Sequence, residues 1–178
     1  MIRSFLFLLF IISSFMVQAQ KIGLNLARET YFGMSTDECN ALRLSNDFEK
    51  SPPNDAVLKA YFGAATAAAP ACLGSPAKKI SYFRKGKDLI AEAVKLQPDN
   101  FEIRFLRFAT QSKTPSFLGY HQNIDEDKQF LLANLEKGRT TVANSRIFAK
   151  MTDFLATCDR LTLKEQAMVR QLNKISLK

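Results

Sequence analysis

Six prolines and seven glycines punctuate this chain of 178 residues, and the prolines fall between segments whose apolar residues recur at helical spacing. That arrangement restricts the fold to short helices joined by brief links, because proline cannot donate the hydrogen bond a helix interior needs. The pattern predicts helices over 22–32, then from a Ser35-Thr36-Asp37-Glu38 capping box to the residues before Ser51-Pro52-Pro53, then 54–69. The second of these should carry Cys39, Leu42 and Phe48 on or near one side. A fourth helix is expected over 76–97, and a fifth opens at Asp99 or Asn100 with Phe101, Phe105, Phe108 and Ala109 aligned. Thr114-Pro115-Ser116 stops it, and the apolar link Phe117-Leu118-Gly119-Tyr120 is expected to pack back on the core. Asn123 should cap a sixth helix holding Phe130, Leu131 and Leu135 and ending near Gly138. A seventh covers 142–159, and a Thr162/Glu165 capping box opens an eighth that reaches Leu177. The fold class is therefore all-α: a single-domain helical bundle or short solenoid of about eight helices.

The fourth helix shows two apolar stripes. Ile80, Phe83, Ile90, Ala91 and Val94 form one, and Tyr82, Gly86, Leu89, Ala93 and Leu96 form the other. Two stripes predict a helix buried between neighbours. Phe83, Ile90, Val94, Phe105 and Phe108 are expected to share the core.

The N-terminus carries an address. Arg3 precedes an apolar run over 5–17 interrupted only by Ser13 and Ser14, and Ala19 supplies the small residue that export peptidases require. A spanning helix needs roughly 20 apolar residues, so this run is short for an anchor. Residues 1–19 read as a signal peptide and 20–178 as one helical domain, exported to the periplasm or beyond, with no stable membrane span after cleavage. Lys and Arg number 25 against 17 acids, a net charge of +8, yet the cations are dispersed. The densest group, Lys78-Lys79 and Arg84-Lys85-Gly86-Lys87, lies beside Asp88 and Glu92 and reads as a solvated helix face. No nucleic-acid partner is expected from such a pattern. Cys39, Cys72 and Cys158 are read as small buried apolar residues, the alternative being a Cys39–Cys72 bridge with one free thiol. With His121 the sole histidine and no clustered cysteines, neither a metal site nor any other cofactor is implied.

Gly86, Ile90, Ala93 and Pro98, ending in Leu96-Gln97-Pro98-Asp99-Asn100, resemble the second helix of a tetratricopeptide repeat, and Tyr61-Phe62-Gly63-Ala64 resembles its first. In that family small residues sit where paired helices cross closely. The resemblance covers about one repeat, near 56–100, with a longer turn at 69–80 and no further unit at the family's period. It implies a helical hairpin in the middle of the chain and a style of function, the holding of a protein or peptide. As a whole the chain resembles small exported proteins of Bacteroidota, which implies a location and no activity.

Tyr120, His121, Asp125, Glu126 and Asp127 are the one cluster with the makings of acid–base chemistry. Acids after Asn123 are also what a helix N-terminus favours, since carboxylates offset the positive end of the dipole. Arg104 could pair with Asp125 or Asp127 to tie the fifth helix to the sixth. No nucleophile elbow or phosphate loop is present. Two functions follow as expectations. The first is a non-enzymatic exported module binding a protein or peptide in a groove between the 56–96 hairpin and the fifth helix, lined by Tyr61, Tyr82 and Arg104. The second is a small exported enzyme using His121 with nearby carboxylates.

Overall fold

A computed structural model describes residues 22–34, 37 and 39–175, with backbone alone at 173–175. The signal-like segment, and Ser35, Thr36 and Glu38 of the first capping box, lie outside the described residues. Among the described residues the chain forms nine α-helices and no strand, in keeping with the all-α expectation. They are α1 (Leu24–Phe32), α2 (Asn40–Lys50), α3 (Ala56–Ala68), α4 (Pro76–Leu96), α5 (Phe101–Lys113), α6 (Ile124–Ala133), α7 (Leu135–Thr141), α8 (Ser145–Thr157) and α9 (Leu163–Ile175). Short 3₁₀ turns follow α3 over Ala69–Cys72 and α5 over Ser116–Leu118. No helix among the described residues is long and apolar enough to cross a membrane.

Side-chain caps set several of the helix starts. Asp55 accepts a 2.9 Å bond from the Leu58 amide, and Asn100 accepts from both Glu102 and Ile103 at the start of α5. Thr162 and Glu165 cap each other's amides, at 2.7 Å and 3.3 Å, in the reciprocal form expected. Asn123 departs from its expected role: its amide group donates to Glu126 at 3.0 Å and accepts nothing from the helix start. The ninth helix comes from Asn134, which splits the expected sixth one. Its side chain donates to the Phe130 carbonyl at 2.8 Å, sharing it with the Asn134 backbone amide at 3.0 Å, and α6 gives way to α7 at this residue. Ala143 then turns the chain with φ 51, and Asn144 caps α8.

The α3–α4 hairpin is built around Gly63 and Gly86. A Cβ on Gly63 would come 2.8 Å from the Gly86 carbonyl and from Ile90, so the two backbones touch where these glycines cross. One face of α4 is buried, through Phe83, Gly86, Ile90, Ala93 and Val94. The two-stripe reading is corrected accordingly: Ile80 and Leu96 are largely exposed and Ala91 lies in solvent. A helix packed closely on one partner has room for a single contact face, and the hairpin supplies that partner. By contrast, α5 is buried along almost its whole length, with every residue from Phe101 to Ala109 withdrawn from solvent. Around it Ile90, Val94, Phe105 and Phe108 join one continuous core that runs from Ala27 to Val169. Phe83 sits outside that cluster, edge-on to Tyr120 at 5.8 Å.

Cys39 and Cys72 form a disulfide, with their Cα atoms 5.3 Å apart. The expectation of three buried apolar cysteines is corrected for these two, because neither lies inside an α-helix. Cys39 precedes α2 and Cys72 ends the 3₁₀ turn after α3, which brings both to the same end of the α2–α3 pair. Cys158 is buried with a free thiol.

Candidate functional site

The three residues expected to line a groove go elsewhere. Tyr61 is fully buried, and its hydroxyl donates to Glu102 at 2.6 Å. Arg28 completes the cluster, donating from Nε and Nη2 to the same carboxylate at 2.7 Å and 2.5 Å, and onward to the Val142 carbonyl at 3.0 Å. Burial, reinforced by the Glu102 charge, pushes the Tyr61 phenol far above its ordinary range, and the Glu102 bond holds Arg28 firmly protonated. This buried group ties α1, α3 and α5 to the end of α7. Arg104 is also buried, 2.5 Å from Asp127 and 2.8 Å from Glu126, with its guanidinium 4.8 Å from the Phe130 ring centre. Arg107 meets the same Asp127 through two bonds of 2.6 Å and 2.8 Å. The pairing anticipated for Arg104 thus uses Asp127, while Asp125 faces solvent near Lys128. Tyr82 is half-buried and reaches Asn46 on α2 at 3.5 Å. Tyr61 and Arg104 are thus buried in the packing, and Tyr82 is turned to α2.

The groups around His121 are taken up by packing and ion pairs. Its Nε2 lies 3.1 Å from the Thr114 carbonyl, Glu126 and Asp127 are engaged by the two arginines, and Tyr120 is buried against Phe83. Burial pushes the Tyr120 phenol up to about 12. Among the described residues no group of three or more His, Cys, Asp or Glu side chains is placed to hold a metal ion.

What the fold does open is an apolar trough of about 740 Å³, between the end of α3, the first turns of α4 and the last turns of α5. Its floor is made of short side chains, Ala64, Ala67, Ala68 and Ala109, which leave unfilled the space larger residues would occupy. Ile80 and Phe83 from α4 wall one part of it, and Phe117 and Leu118 from the second 3₁₀ turn wall another. Phe117 is 84% exposed and Ile80 47% exposed. The expectation that the 117–120 link packs back on the core is therefore half right. Tyr120 turns inward, but Pro115 and the left-handed Gly119 (φ 63) bend the turn so that Phe117 points out. Tyr31 reaches the trough from α1, its phenol pushed up to about 12 by burial and partly restrained by a bond with Thr110. Lys79 and Lys113 are the charged residues of the lining.

No family model, curated protein or solved structure matches the chain.

A second recess, of about 320 Å³, lies beside the Arg28–Glu102 pair and is lined in part by Phe101, Asn134 and Ala143. Among its polar groups, Arg28 and Glu102 are paired with each other and Asn100 caps α5. Sequence reasoning missed the trough because its floor is a run of alanines, 64–69 interrupted only by Thr66, which carries no motif. That run, and the apolar 117–120 link, were the available signals.

Proposed function

We propose that this chain is an exported, non-enzymatic helical module that holds a protein or peptide partner, and that the trough between α3, α4 and α5 is where it does so. The observation that carries the reading is a concave apolar surface whose rim keeps Phe117 and Ile80 in water. Clustered apolar side chains left exposed on a folded domain are typical of interaction sites. Two further features support it. A disulfide persists in oxidising compartments, which fits the export read from residues 1–19. The glycine crossing of α3 and α4 fits the tetratricopeptide-like hairpin, a unit that serves binding in repeat proteins. Ile80, Phe117, Lys79 and Lys113 replace Tyr61, Tyr82 and Arg104 as the residues that meet the partner.

The test is a pull-down from cell-envelope extract with wild type and with Ile80→Ser/Phe117→Ser. Both side chains are exposed, so the variant should melt at the wild-type temperature while losing the partner. Equal recovery by the two would remove the trough as the binding surface. Mass spectrometry of the exported protein should find Gln20 at the N-terminus, and retained Met1 would overturn the export reading.

A further inference from the structure

We propose that the segment held in the trough is an acidic amphipathic one, its apolar side chains entering between α4 and the 3₁₀ turn and its carboxylates facing Lys79 and Lys113. This rests on the trough being the binding site and adds the chemistry of what fills it. The charge of the site is one-sided: its lining includes two lysines and no acid among the described residues. Nor do the described residues neutralise them. Lys59 and Lys85 of the same hairpin meet Glu92 and Glu49, whereas no ion pair joins Lys79 or Lys113 to a carboxylate among the described residues. Lys113 instead lies 5.5 Å from the Phe154 ring centre, and Lys78 adjoins Lys79 on α4. A carboxylate arriving at either lysine meets an ammonium that no described carboxylate pairs.

The same lining says why the occupant is a chain segment and not a small amphiphile. Ile80 on α4 and Phe117 on the second 3₁₀ turn both line the trough and both stand exposed, so a helix laid across the rim would have an apolar anchor on each side. Apolar anchors at one-turn spacing with polar residues between them are how helices bind in such grooves.

The test uses a set of fluorescein-labelled amphipathic peptides that share one Leu/Phe face and carry Glu, Gln or Lys on the other. Fluorescence anisotropy is read with the purified protein at low and high salt. The Glu peptide should bind about tenfold tighter than the Lys peptide at low salt, as expected of two exposed ion pairs, and the margin should shrink as salt is added. Lys79→Glu/Lys113→Glu should reverse the order, which no loss of folding can imitate. Equal affinity for all three peptides, still weakened by Phe117→Ser, would keep the trough as the site and overturn the charge preference. Binding of none of them in a manner that depends on Phe117 would overturn both. Binding of dodecanoate but of no peptide would overturn this proposal in favour of a small amphiphile.

Discussion

Glu102 accepts from Arg28 and from Tyr61 inside the core, so its carboxylate holds three helices at one point. Removing one partner of a buried pair leaves the other charge unpaired, which costs far more than the intact pair contributes. Glu102→Gln should therefore lower stability by about 3–5 kcal/mol in urea unfolding. Tyr61→Phe removes one hydrogen bond to a charged acceptor and should cost about 1.5–3 kcal/mol. If the urea midpoint of Glu102→Gln matched that of wild type, this cluster would not be holding the helices. The residues are individually visible in the sequence, but their meeting is not. Arg28 and Glu102 stand 74 positions apart, and nothing local marks either as buried.

At the scale of elements, close packing overrides intrinsic preference. An alanine at Gly86 would favour the helix by about 1 kcal/mol on propensity alone. Its Cβ, however, would meet the Ala67 backbone and stand 2.5 Å from the Gly63 carbonyl. Overpacking of this kind costs about 1–3 kcal/mol, so Gly86→Ala should lower the melting temperature. A raised melting temperature would show that α3 and α4 do not cross there. The start of α9 carries a pH dependence. The Thr162 amide holds the Glu165 carboxyl below its ordinary value of 4.5, with the Thr162 hydroxyl adding to the effect. A depressed acid contributes its stability above its unfolded pKa and loses it as pH falls through the lowered folded value. Amide protection in the first turn of α9 should therefore decline in acid, once pH falls through the lowered value, and Glu165→Ala should show that lower protection already at neutral pH. Because the carboxylate is largely solvated, the effect on global stability is small. Such caps are read well from sequence, as Thr162, Glu165 and Asn100 show, because both partners lie within one turn. Asn134 escaped that reading, since the same residue type can cap a helix, end it or sit within it.

For the whole molecule, the disulfide closes a loop with its cysteines 33 residues apart. Loop-closure entropy of that size corresponds to about 3–4 kcal/mol, so Cys39→Ser/Cys72→Ser should lose that much in urea unfolding. A wild-type unfolding midpoint in the double variant would mean that the bridge adds nothing to the fold. The sequence alone determined the helical class, most helix starts and stops, and the Phe105 and Phe108 core. Each of these depends on dihedral limits, side-chain spacing and caps that act within a few residues. Only the tertiary structure decided that Cys39 meets Cys72, that Tyr61 serves Glu102, and that α4 buries one face instead of two. Helical periodicity tells which side chains share a face, but not whether a neighbouring helix will cover it. The trough exists because α3 presents alanines where α4 and α5 diverge past the glycine crossing, leaving Ile80 and Phe117 uncovered. That is a property of three helices placed together, and no single segment encodes it.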